Sequence, residues 1–213
     1  MQIFLQEIIP IYFEKEKIIS SDIWGKNISF SKGEHVHIVA PSGSGKTSLI
    51  HFIYGMRKDY TGTISYQNKN ISNFSLENFS AFRQKNISIV FQDLRLFAEQ
   101  TVRENIEIKR QLDPYHPPQK IDEMAKRLGI ESKLNKPAKT CSYGEQQRIA
   151  IIRSLMQPFD FLLLDEPFSN LDENNRTKAF ELIEEECRQR NASMVFADLK
   201  ELDFFNGQRI LKL

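Results

Sequence analysis

Ala40-Pro41-Ser42-Gly43-Ser44-Gly45-Lys46-Thr47 lies between an apolar, strand-like run (Val36, Ile38, Val39) and the helix-like opening Ser48-Leu49-Ile50-His51-Phe52-Ile53. A phosphate-binding loop has the form G-x-x-x-x-G-K-[ST] in the same strand–loop–helix setting. Gly43 and Gly45 carry no Cβ, so backbone N–H groups can turn inward around phosphate oxygens. The helix N-terminus behind them adds further donors and a positive dipole end. Lys46 would reach the β- and γ-phosphates, and the Thr47 hydroxyl would sit on Mg²⁺. The expected nucleotide-binding set is therefore Ser42, Gly43, Ser44, Gly45, Lys46, Thr47 and Ser48. Ala40 stands where the first glycine belongs, the smallest change available, and predicts a tightened turn with the site intact.

A second stretch supports that reading. Phe161-Leu162-Leu163-Leu164 is a continuous apolar run, as expected of a strand buried on both faces of a parallel sheet. It ends in Asp165-Glu166, and carboxylates at the C-terminal end of such a strand border the place where α/β sheets bind ligands. Asp165 suits Mg²⁺, held directly or through water, and Glu166 is placed to polarise an attacking water.

The chain has 213 residues, 40% hydrophobic and 27% charged, with a formal net charge of +1. That is enough chain for one large or two small domains, and it gives no basic field for nucleic acid. Cys141 and Cys187 form neither a disulfide framework nor a zinc-ligand pattern. No apolar run approaches the roughly 18–20 residues that span a bilayer, so a cytoplasmic protein is expected, with any membrane role supplied by a partner.

Pro10 predicts an edge strand for the segment from Ile3 to Phe13. Tyr12 and Phe13 near its end are core aromatics or, in the functional reading, one of them stacks on a base. Lys15 to Asp22 reads as a polar loop. Ile28 to Phe30 and Val36 to Val39 read as strands flanking Lys32-Gly33-Glu34. His35 and His37 alternate along the second of these, and with no third ligand nearby they are expected to be strand-surface or edge residues. A small hairpin is expected around Thr61 to Asn70 and a strand over Lys85 to Phe91. Thr101-x-x-Glu104 is a capping box opening a helix through Leu112. Pro114, Pro117 and Pro118 break it. Ile121, Met124, Ala125 and Leu128 then define a second helix that Gly129 closes. Glu173 to Arg190 is a charged helix burying Phe180, Ile183 and Cys187, and Ser193 to Ala197 and Arg209 to Leu213 complete the sheet.

At Cys141-Ser142-Tyr143-Gly144-Glu145-Gln146-Gln147-Arg148 the chain resembles the ABC-transporter ATPases, whose signature of the form L-S-G-G-Q/E falls shortly before the apolar strand. Taken alone, Ser142-x-x-Glu145 is a capping box. The resemblance implies that Ser142, Gly144 and Glu145 meet the γ-phosphate of ATP held by a partner subunit. Cys141 replaces the family's leucine, and Tyr143 replaces a glycine, putting bulk beside that phosphate. The family's base-stacking aromatic falls on Tyr12. Gln92 matches the glutamine that senses Mg²⁺ and borders the groove receiving the membrane subunit, so it joins Lys46 and Glu166 in the implied catalytic set and Thr47 and Asp165 in the implied metal set. Asp165-Glu166-Pro167 matches the second nucleotide motif, and Ser169-Asn170-Leu171-Asp172 the loop that crosses the dimer interface. Where the family has a histidine after the last core strand, this chain has Asp198, which when ionised cannot donate to phosphate.

The resemblance implies one ABC ATP-binding domain: a P-loop, RecA-like parallel-sheet core with an antiparallel β-subdomain (1–92 and 146–213) and a helical subdomain (93–145). It implies a head-to-tail homodimer that hydrolyses MgATP and drives integral-membrane permease subunits, peripheral at the inner face of the membrane. The wording around Phe91 to Leu96, Gln100 to Ile106 and Gly144 to Arg148 is most similar to the lipoprotein-releasing and cell-division branch. Two other readings stand beside it. One is a nucleotide-gated module with little hydrolysis, motivated by Asp198 and Tyr143. The other is a soluble ATPase acting on DNA or ribosomes, set against which the chain carries no coiled-coil insertion and no second cassette.

Overall fold

The computed structural model describes residues 1–13, 20–201 and 209–213; most of the polar loop expected from Lys15 lies outside them. Two sheets organise the described chain. The first is antiparallel and contains β1 (Gln2–Pro10), β2 (Asn27–Ser31), β4 (Tyr60–Tyr66) and β5 (Lys69–Asn70) in the order β2-β1-β4-β5. The second is wholly parallel and contains β3 (His35–Val39), β6 (Ile87–Val90), β7 (Phe161–Asp165), β8 (Ser193–Asp198) and β9 (Arg209–Lys212) in the order β6-β7-β8-β3-β9. This is the α/β P-loop architecture expected from the sequence, with an antiparallel sheet beside a parallel core.

Alternation along the parallel strands sorts the apolar residues into two cores, one on each face. Leu162 and Leu164 of β7, with Met194 and Phe196 of β8, belong to one cluster. Phe161, Leu163, Val195 and Ala197 belong to the other. Successive strand side chains point to opposite faces, so an unbroken apolar run is what a strand needs when both faces are covered. The second cluster also takes in the helix α1 (Lys46–Ile53) and the inward residues Ile3, Leu5, Phe30 and Ile64 of the antiparallel sheet. The first holds the helices α3 (Val102–Leu112), α4 (Gln119–Arg127), α5 (Tyr143–Leu155) and α6 (Glu173–Gln189).

Three expectations are corrected. The N-terminal strand is an inner strand, paired with β2 on one side and β4 on the other. Pro10 is tolerated because it is the last residue of β1, beyond a bulge at Glu7 (φ 49°) that shifts the register between Gln6 and Ile9. His37 is neither surface nor edge: β3 runs between β8 and β9, the ring is fully buried, and it stacks on Phe196 at 4.7 Å. Burial pushes its pKa down to about 4, so the imidazole is neutral at physiological pH. Lys85 does not open a strand. It ends α2 (Leu76–Lys85), a helix whose capping box pairs Ser75 with Asn78, and β6 starts only at Ile87. Asparagine in place of Glu or Gln at that position hid the box from the sequence pattern.

The capping boxes expected at Thr101/Glu104 and Ser142/Glu145 are both formed, and the proline break, Gly129 and the buried face of α6 fall where expected. Asn105 of α3, fully buried, ties the loop before that helix together: its Oδ1 accepts from Phe97 N at 2.8 Å, and its Nδ2 donates to the carbonyls of Phe97 and Thr101 at 3.0 Å. Removing this amide leaves buried backbone groups unpaired, which costs about 1–3 kcal/mol. Asn105→Ala is therefore expected to lower stability by about that amount, read as a lower urea midpoint; an unchanged midpoint would show that water replaces the side chain freely.

Candidate active site

The loop between β3 and α1 is held from several sides. Ala40 N donates to the carbonyl of Asp198 at 3.1 Å, which fastens the loop to the end of β8. Gly45 has φ 94°, and a Cβ there would come within 2.7 Å of Phe13 Cζ and 3.0 Å of Trp24 Cζ2, so the position accepts glycine on both conformational and steric grounds. Trp24 is fully buried and its Nε1 donates to the Ser44 carbonyl at 3.2 Å. As N-cap of α1, Gly45 offers no side-chain cap, and no acid stands in the first turn. The helices α3 and α5 each begin with a complete capping box, so α1 alone among the three leaves its leading amide donors to an anion.

Lys46, 4% exposed, donates through Nζ to the Ala40 carbonyl at 2.8 Å and to the Pro41 carbonyl at 3.1 Å, and lies 3.3 Å from Glu166 Oε1. Thr47 Oγ1 donates to Gln92 Oε1 at 3.2 Å, and Gln92 Nε2 donates to Glu166 Oε2 at 3.3 Å. Four side chains from three separate segments thus meet in one network: Lys46 and Thr47 on α1, Gln92 just beyond β6, and Glu166 just beyond β7. Glu166 itself has φ 47°, a left-handed conformation uncommon for a residue with a Cβ. Its N–H donates to the Ala197 carbonyl at 2.9 Å, and its carbonyl accepts from Gln147 Nε2 at 3.2 Å.

Asp165 ends β7 beneath this network. It is fully buried and, among the described residues, neither carboxylate oxygen finds a hydrogen-bond donor. Burial pushes its pKa up to about 6; the Glu166 charge adds to that, while the nearby Thr47 hydroxyl and Lys46 oppose it. The donor set of Asp165 carboxylate, Thr47 hydroxyl and Gln92 amide oxygen is all oxygen, which suits Mg²⁺. Asp198, at the end of β8, has its pKa raised by burial and by Glu166, while its Oδ1 accepts from Leu199 N at 2.6 Å.

A cavity of about 430 Å³ opens above the loop, lined among others by Tyr12, Gly43, Lys46, Ser48, Arg57 and Glu166. Tyr12 is half exposed and shares a hydrogen bond with Ser48, while the Arg57 guanidinium lies 5.2 Å from its ring centre. Arg57 Nη1 also donates to Ser48 Oγ at 3.0 Å. Ser42, Gly43, Gly45, Thr47 and Gln92 line the same cavity, whereas Ser44, whose hydroxyl is buried, and the fully buried Asp165 do not. Ser142, Gly144 and Glu145 are not part of it. Glu145 accepts from Ser142 N at 2.7 Å and pairs with Lys133 at 3.1 Å, so its carboxylate caps its own helix and ties it to the turn before it.

Gly144 packs against the loop after β7; a Cβ there would stand 2.9 Å from the Asn170 carbonyl oxygen. Sequence reading missed Trp24, Arg57 and Gln147. Gln147 is buried and bonds Glu166 O, Ser169 Oγ and Asn170 N, and its place inside the signature run was the available signal. Arg57 stands in no motif.

A family model described as ABC transporter matches residues 25–169. The chain belongs to the ABC transporter family. Curated members of that family to which it is similar include the lipoprotein-releasing ATP-binding protein LolD of Legionella pneumophila, 31% identical over 80% of this chain and 77% of LolD. Another is the macrolide export protein MacB of Nitrosomonas europaea, 32% identical over 76% of this chain. Both lie in the direction that the sequence resemblance indicated, but import proteins are also similar: the molybdate/tungstate protein WtpC of Pyrococcus horikoshii is 38% identical over 72% of the chain. The chain spans 25% of that MacB and 44% of that WtpC. A solved ABC transporter cassette, MJ0796, in its dimeric form, superposes with a TM-score of 0.80 at 24% identity, covering 93% of this chain and 88% of its own, and shows the same fold.

The raised Asp165 carboxyl has a consequence for stability. Between about pH 4 and pH 6 the folded protein holds a proton that the unfolded chain has released, so stability falls as pH rises through that window and the penalty is complete above it. Asp165→Asn is expected to raise stability at pH 7.5 by about 3 kcal/mol and to flatten that slope, in urea unfolding run without nucleotide. Equal slopes for the two proteins would mean that the carboxylate is well solvated.

Proposed function

We propose that this chain is an ATP-binding subunit of an ABC transporter that binds MgATP, pairs head to tail with a second cassette and hydrolyses the nucleotide to drive a membrane permease. The observation that carries the reading is the meeting of Lys46, Thr47, Gln92 and Glu166 in one hydrogen-bonded and ion-paired network at the loop, with Asp165 buried beneath. Glu166 would hold the attacking water for in-line displacement at the γ-phosphate, while Lys46 and the leading amides of α1 stabilise the charge that develops. Thr47, Gln92 and Asp165 would hold Mg²⁺, which when bound neutralises charge on the phosphates. Tyr12, fastened to Ser48, would stack on the base, with Ser42, Gly43, Ser44, Gly45 and Ser48 around the phosphates. Ser142, Gly144 and Glu145, outside the chain's own cavity, are assigned to the nucleotide of the partner subunit.

In this reading, 93–145 is a helical subdomain inserted in a core formed by 1–92 and 146–213. No helix among the described residues is long and apolar enough to cross a membrane, so work at the inner face of the membrane would pass through permease subunits. A groove of about 720 Å³ between α2 and α3 supports such a partner: exposed Leu76 and Leu112 flank it, Arg83 and Lys109 line it, and among the described residues no carboxylate does. The finer assignment to lipoprotein release rests on similarity to LolD and is proposed on that ground only.

Glu166→Gln is expected to keep ATP binding and to lower steady-state phosphate release by about 10²–10⁴-fold. Undiminished release would remove Glu166 from the role of base. Asp198 supports a second reading, a nucleotide switch with little turnover, because a carboxylate beside Glu166 repels the phosphate when ionised. If that reading holds, wild type binds ATP without releasing phosphate and Asp198→His awakens release. If wild type turns over and Asp198→His adds little, the hydrolase reading stands and the histidine is dispensable.

A further inference from the structure

Tyr143 occupies a glycine position of the family signature, and bulk there was expected to crowd the phosphate. Within its own chain, Tyr143 Oη donates to the backbone carbonyl of Gln92 at 3.0 Å, across 51 residues of sequence. The carbonyl belongs to the residue whose side chain bridges Thr47 and Glu166. Beyond Gln92 the loop contains two consecutive left-handed residues with side chains, Leu94 (φ 58°) and Arg95 (φ 48°). Such conformations persist only when the surroundings over-determine them.

The loop's own contacts, Leu94 N on the Phe91 carbonyl and Arg95 on Asp93, supply part of the surroundings, and α5 supplies the rest. Arg153, near its C-terminal end, donates to the carbonyls of Leu94 and Arg95. Tyr143, its first residue, takes the carbonyl of Gln92. One rigid helix therefore grips the loop at both ends, and only the Tyr143 grip falls on the residue that reaches the candidate active site.

We propose that Tyr143 is a positioning residue, whose hydroxyl ties the start of α5 to Gln92 and so sets the Gln92 amide against Thr47 and Glu166 within a single subunit. The effect on turnover rests on the hydrolase reading above; the effect on the loop does not.

Tyr143→Phe in the full chain tests both, because it keeps the ring and deletes the hydroxyl. Hydrogen exchange without nucleotide is expected to speed up about five-fold in peptides covering 91–97, with 147–155 unchanged, the size expected from losing one neutral hydrogen bond. With MgATP, kcat is expected to fall about five-fold at unchanged KM, a split that general destabilisation would not produce. Tyr143→Gly, which restores the family's glycine, should match the phenylalanine variant in both readouts, since neither carries the hydroxyl. Exchange at wild-type rates in 91–97 would overturn the tether. Faster exchange with unchanged kcat would overturn the positioning role. A wild type that releases no phosphate would fail the hydrolase reading instead, and exchange alone would then decide the tether.

Discussion

A carboxylate buried with no close hydrogen-bond donor among the described residues is the constraint on which the candidate site depends. Asp165 closes a strand whose every residue is buried, and burial of its charge is costly. The body of β7 has nothing polar to offer, so compensation has to come from what stands beyond the strand end: Lys46 and Thr47 from α1, arriving through the loop that Ala40 pins to β8. Gln92 and Glu166, each just past the end of its own strand, stand within reach of those two residues, although the Glu166 charge adds to the cost of ionising Asp165. Chemistry gathers beyond the C-terminal ends of the parallel strands because the sheet's two faces are spent mainly on apolar packing.

What the sequence made legible follows the same division. The loop, the apolar run of β7 with its two acids, and the capping boxes at Thr101 and Ser142 are local patterns whose physics is complete within a few residues, and the structure reproduces them. Strand position within a sheet is not local. Pro10 gave a sound reason for an edge, yet the edge went to β2 and β5, because a proline on the last residue of a strand interrupts nothing. His37 was misplaced for a related reason: alternation predicts which side a residue faces, whereas its burial depends on β9, contributed from the far end of the chain. The α2 cap used asparagine where the pattern asks for Glu or Gln. Arg57 and the Tyr143 contact join segments tens of residues apart and leave no trace in spacing.

The α5 helix gives this fold a second organising line. Tyr143 and Arg153 hold the loop beyond β6, while Gln147 takes the carbonyl of Glu166 and the backbone N–H of Asn170. The loops that follow β6 and β7 are therefore referenced to one helix and not only to each other. A rigid shift of α5 would move both loops relative to α1, which is anchored on the opposite face of the sheet, so the parallel sheet acts as the fixed frame between the two sets of contacts.

Trp24 gives this arrangement an optical signature. It is the chain's single tryptophan, with its indole N–H on the carbonyl of Ser44 and its ring edge against Phe13. Indole emission responds to the polarity and hydrogen bonding around the ring, and here the hydrogen-bond acceptor of that ring belongs to the loop between β3 and α1. A rearrangement that breaks the bond to Ser44 alters the environment of one unique chromophore, so the protein carries its own fluorescent label beside the candidate site.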